Sequence, residues 1–179
     1  MHGASSAHEQ RTHHRHRTTP TSQPPGSTGT AATIGGVPTC STGVLGISTS
    51  AGGAAAGTSY TVFTLTNRAP AQCGLDGYPK LRFFGPSSAS GAGAGPELPI
   101  SVIDGGPRPG LVTLSTGGSA EFIVIMSDVP VGGVGCSTVA SVGVSIPETS
   151  ESLSVPVSVE TCGGAVTVYA FGPPDSESP

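Results

Sequence analysis

Histidine, cysteine and paired carboxylates are the residues of this chain whose types could do chemistry. All five histidines, His2, His8, His13, His14 and His16, fall in the first 16 residues. The remainder has no imidazole, so a Ser-His-Asp or Cys-His site lacks its base there unless the N-terminal stretch folds back. No G-x-S-x-G, phosphate-binding glycine loop or H-E-x-x-H motif occurs. Glu148 and Glu151 are a carboxylate pair within "PETSES". A Ser/Thr-rich turn is solvated, and solvation does not raise a carboxyl toward the range a general acid needs. Asp104-Gly105-Gly106 reads as a turn. His13, His14 and His16 in "HTHHRHR" offer imidazoles to a transition metal. The reading adopted for that segment is a disordered basic stretch. The expectation is a chain with no catalytic residues, no metal and no cofactor.

The four cysteines, Cys40, Cys73, Cys136 and Cys162, have two readings. Zinc sites bring ligands in close pairs such as C-x2-C. Here successive cysteines are far apart and no histidine lies near them. Disulfides are therefore expected, and paired thiols imply an oxidising compartment. Four cysteines permit three pairings, and choosing among them requires the elements that carry them.

Those elements follow from composition and period. The chain has 179 residues and a formal net charge of -4. Charged residues are only 10%, against roughly 25% in an average domain. Residues 1–39 are expected to be a disordered tail: a His/Arg stretch, then the Thr/Pro/Ser-rich "TTPTSQPPGSTGTAAT", which has too little apolar surface to offset its ordering entropy. Residues 40–171 are expected to form one domain, and 172–179 a short acidic tail. Between Cys40 and Phe171 the basic residues are Arg68, Lys80, Arg82 and Arg108, against eight acids. A weakly acidic domain is a poor match for phosphate backbones, so no nucleic acid is expected. No apolar run approaches the ~20 residues of a membrane span.

Short Val/Ile/Thr/Leu runs punctuated by Gly and Pro read as strands. They are expected at 43–49, 58–66, 80–84, 100–104, 111–114, 119–127, 138–146, 153–160 and 165–171. Ala140, Val142, Val144 and Ile146 alternate with polar or small residues, and Leu153, Val155, Val157 and Val159 repeat the pattern. Period two with one polar face is a half-buried antiparallel strand. Phe122–Met126 is apolar on both faces, which places it centrally. Pro156 cannot donate to a ladder and marks an edge or bulge. The fold expected is all-β: an immunoglobulin-like antiparallel β-sandwich of about seven to nine strands, without the tryptophan of immunoglobulin domains.

Strand placement selects a cysteine pairing. If 138–146 and 153–160 form a hairpin about "PETSES", opposed residues have numbers summing to about 299, and Cys136 and Cys162 fall nearly opposite. Cys40 precedes the first strand and Cys73 follows the second, at the same end of that pair. The expected bridges are Cys40–Cys73 and Cys136–Cys162. Each is worth on the order of 3.5 kcal/mol in the chain-entropy account.

The stretch "TNRAPAQCGLDGYPKLRFF", Thr66–Phe84, then falls into place. Its pattern is a strand ending in Thr66-Asn67, a short loop, then Cys73, Leu75, Gly77, Tyr78 and Pro79. This resembles the domain of unknown function 4232 family of secreted and lipid-anchored actinobacterial proteins, and the resemblance covers Cys40 to Phe171. It implies an extracytoplasmic, disulfide-bonded β domain, often behind a signal or lipoprotein peptide and a Thr/Pro/Ser-rich spacer. It brings no activity and no catalytic residues. No lipobox precedes Cys40, whose upstream residues are "GGVPT", and the first 17 residues have no apolar core. Export is thus expected by another route or from a different start. The signature residues are read as structural. Asn67 caps a loop, Gly77 permits positive φ, Pro79 leads into a strand, and Tyr78 buries its ring. The function expected is a non-catalytic envelope module that binds an envelope protein or glycan through loops or a sheet edge. The alternative is a carbohydrate or small-ligand binder.

Overall fold

The computed structural model describes residues 32–87, 94–106 and 110–174. The expectations for the N-terminal His/Arg and Thr/Pro/Ser segment through residue 31, and for the acidic residues after 174, lie outside them. The strands in chain order are β1 (Thr33–Ile34), β2 (Val37–Pro38), β3 (Leu45–Ala55), β4 (Thr58–Asn67), β5 (Cys73–Leu75), β6 (Lys80–Phe84), β7 (Glu97–Leu98), β8 (Ser101–Gly105), β9 (Val112–Leu114), β10 (Ser119–Ser127), β11 (Cys136–Ser145) and β12 (Leu153–Tyr169). A single 3-10 turn, Thr42–Val44, precedes β3. All nine expected strand regions are strands. Two of them, 153–160 and 165–171, are one strand, and four more, β1, β2, β5 and β7, two or three residues long and too short to carry a period, bring the total among the described residues to twelve.

The order β3-β4-β10-β12-β11-β6-β7 describes the main sheet, with β8 joined to β12. The sheet turns at β12, where 153–160 and 165–171, expected as two strands, run together. The first part of β12 pairs with β11, from Cys136 opposite Cys162 to Val144 opposite Leu153. Its last residues pair with β10 on one side and β8 on the other. Gly163 and Gly164, at φ 77° and 71°, mark the changeover. Only glycine adopts two successive left-handed conformations cheaply, and here they redirect the strand without ending it. The β8–β12 pair is parallel, the one departure from antiparallel pairing in this sheet.

Both parts of the turned sheet line one core. Phe63, Phe122, Val124, Val166 and Val168 come from one side, and Phe83, Val139, Val142, Val144 and Val155 from the other, in a single buried cluster. This is the β-sandwich expected. Phe122 stacks on Phe63 at 4.7 Å between ring centroids and meets Phe171 edge-on at 5.8 Å. β10 lies between β4 and β12, in the interior of the sheet as its apolar run predicts. The β11–β12 ladder slips between Val139 and Ser141, whose partners are Val159 and Pro156, so the proline sits beside a bulge.

Candidate functional site

The signature residues gather where β4, β5 and β9 meet. Asn67 closes β4 and is 0% exposed. Its Nδ2 donates to the carbonyl oxygens of Ala71 at 2.8 Å, Leu114 at 3.1 Å and Ser115 at 3.3 Å, and its Oδ1 accepts from the Ala69 amide at 2.9 Å. One short amide side chain therefore ties the 68–72 loop to the end of β9. Cys40–Cys73 lies beside it, with Cα atoms 4.8 Å apart. Cys73, which follows the short loop, opens β5 opposite Leu114 of β9. Leu75 is fully buried. Gly77 has φ 84°, as its turn requires, and its carbonyl accepts from the Phe171 amide at 3.1 Å. Pro79 leads into β6. The Tyr78 ring packs on the core and its hydroxyl reaches the Gly106 carbonyl at 3.4 Å. The cluster binds chain to chain, a fastening in which each polar atom faces the protein's own backbone.

The second disulfide joins directly opposed residues of β11 and β12, Cα atoms 3.9 Å apart. The pairing expected from the hairpin holds for both bridges. Two disulfides indicate an oxidising environment. Glu148 and Glu151 are exposed, and Glu151 accepts a 2.6 Å hydrogen bond from Thr42 Oγ1. Asp104 is paired within β8 and not in a turn; Gly106, just past the strand, has φ 71°.

An exposed ion pair joins β6 to β7. Arg82 Nε donates to Glu97 Oε1 at 3.0 Å, and its second nitrogen also contacts the carboxylate. That hydrogen bond, reinforced by Coulomb attraction, holds the Arg82 guanidinium above its ordinary value. The same bond holds Glu97 below the ordinary carboxylate value, opposed by desolvation and aided by Coulomb attraction to Arg82. The guanidinium also lies 5.6 Å from the Phe84 ring centre. The pair pins β7, only two residues long, to β6.

A concave surface of a different character opens between β3–β4 and the first part of β12. It encloses about 290 Å³ and is lined by Thr49, Ser50, Tyr60 and Thr61 on one side and Val157, Ser158 and Val159 on the other. No ionisable carboxylate or amine lines it. Among the described residues, 153–161 of β12 pair only with β11, so the strand edge along this groove is open. A register shift between Ala51 and Gly53 bends β3 at the same place. Nothing in the sequence singles out this sheet edge. The alternation of β12 was legible, whereas its juxtaposition with β3 depends on where Gly163-Gly164 turns the strand.

A family model described as Domain of unknown function (DUF4232) matches residues 40–172. No curated protein and no solved structure matches the chain.

Proposed function

Since the chain belongs to the domain of unknown function 4232 family, we propose that it is an exported, non-catalytic binding module whose groove between β3–β4 and β12 takes an envelope partner. The observation that carries this reading is the groove itself: hydroxyls, one tyrosine and valines beside an open strand edge. Unpaired strand edges accept extended chains by main-chain hydrogen bonding, and the flanking side chains select among them. Export is supported by the two disulfides. The non-catalytic reading is supported by the absence of histidine after residue 16. It is also supported by the use of Asn67 and Tyr78 as backbone fasteners.

Photo-crosslinking tests it. A benzophenone side chain at exposed Ser158 is expected to capture an envelope component that the same group at exposed Thr113, on β9, does not. Equal labelling from both positions, or none from Ser158, would count against the groove. A neutral glycan is the second reading, favoured by the hydroxyl lining around Tyr60. Micromolar binding on a glycan panel, lost in Tyr60→Ala, would make it the first.

A further inference from the structure

The two disulfides occupy different surroundings. Cys40 and Cys73 are 0% and 6% exposed and belong to the core. Cys136 is exposed at the start of β11, over Cys162, which is 1% exposed. Glu160 is also exposed and lies two residues before Cys162, so its side chain leaves the same face of β12. The two sulfurs and the Glu160 carboxylate all lie within 4.8 Å of one another. Two donors two residues apart on one strand, with a third directly across on its neighbour, form a tripod on a rigid sheet.

We propose that Cys136, Cys162 and Glu160 make a redox-gated site for a soft divalent cation such as zinc, shut as the disulfide and open as the dithiol. Thiolates select zinc, a carboxylate oxygen completes three protein ligands, and a water can take the fourth position. The opening step requires a thiol reductant. A thiolate of a dithiol donor attacks the exposed Cys136 sulfur and releases Cys162 as the leaving thiolate. The donor's second thiolate then resolves the mixed disulfide. Two electrons pass to the protein, and the donor leaves as its own disulfide. The cation then displaces the two thiol protons to solvent. Gly163-Gly164 after Cys162 and Gly135 before Cys136 put no side chain beside the sulfurs; the two flanks are joined by one long hydrogen bond, from the Gly163 amide to the Gly135 carbonyl at 3.4 Å, and the Val139–Val159 pair lies further along the ladder. The sequence argues against zinc because the cysteines are far apart and no histidine lies near them. Only the strand register brings the third donor in.

The full oxidised protein should first be treated with graded phosphine, which becomes its oxide as the disulfide opens, then alkylated and mapped. Cys136 and Cys162 are expected to open at a phosphine concentration at least tenfold below that needed for Cys40 and Cys73. Simultaneous opening, or Cys40–Cys73 first, overturns the gate. Cobalt is then added to the singly reduced protein after phosphine is removed. A thiolate-to-cobalt charge-transfer band saturating at one equivalent is expected, with both thiols protected from alkylation. The N-terminal imidazoles give no such band, and the oxidised protein serves as its own blank. Exposed Glu160→Gln should keep the fold and weaken cobalt binding about tenfold or more. No band, no protection, or an unchanged affinity in E160Q would each overturn the site.

Discussion

Asn67 gathers three carbonyl oxygens with one amide group and accepts a backbone N–H with its oxygen, all at 0% exposure. No other side chain of the same size carries both a two-proton donor and an acceptor. Asn67→Ala leaves buried backbone groups unpaired, and each such group costs about 1–3 kcal/mol. The expected loss is about 3 kcal/mol of unfolding free energy by urea titration. Asn67→Asp should be worse at neutral pH, because carboxylate oxygens then face carbonyl oxygens. A change below about 1 kcal/mol in both variants would mean the loop is held by something else. The role was legible in the sequence because Asn favours side-chain bonds to nearby backbone. The long-range acceptors, Leu114 and Ser115, were not, since nothing local announces that β9 ends beside β4.

At the scale of elements, strands with a clear alternation were legible and those without one were not. β6 and β10 occur at the bounds expected, and the β11–β12 hairpin has the register that paired Cys136 with Cys162. β7 has two residues and no period. It is held by pairing with β6 and by Arg82–Glu97. Glu97 is depressed in the folded chain by its hydrogen bond to Arg82. Its contribution is therefore present above the ordinary carboxylate value and lost as pH falls through the lowered one. Both groups are exposed, so the global effect is small and the readout must be local. The Glu97 carboxyl is expected to titrate below free glutamate by NMR, and β7 amides to exchange faster below that pH. Arg82→Gln should return Glu97 to the ordinary range; an unmoved titration would contradict the pairing. Gly163 and Gly164 have left-handed φ at the turn of β12. Alanine at either is expected to cost about 1–2 kcal/mol by thermal or urea unfolding. No cost would mean the bend does not need glycine.

For the whole molecule, composition and period pointed to a β-sandwich, while the turned sheet came from a feature no period encodes. Two strands read separately in the sequence are one strand that changes partners, because Gly-Gly looks like a turn whichever way the chain continues. The aromatic centre joins Phe63 of β4 and Phe122 of the neighbouring β10 to Phe171, just past the end of β12. The Cys40–Cys73 bridge belongs to the same buried cluster and ties the segment before β3 to β5. Replacing both cysteines by alanine is expected to lower stability by about 3–4 kcal/mol, read by urea unfolding with the other bridge intact. A loss under about 1 kcal/mol would mean that Asn67 and the β5–β9 pair fasten that end unaided.

Non-reducing peptide mapping of the protein from its native source is the most direct test of an exported, oxidised binding domain. Cys40 linked to Cys73 and Cys136 linked to Cys162 are expected, in chain recovered outside the cytoplasm. Four free thiols on chain confined to the cytoplasmic fraction would contradict it.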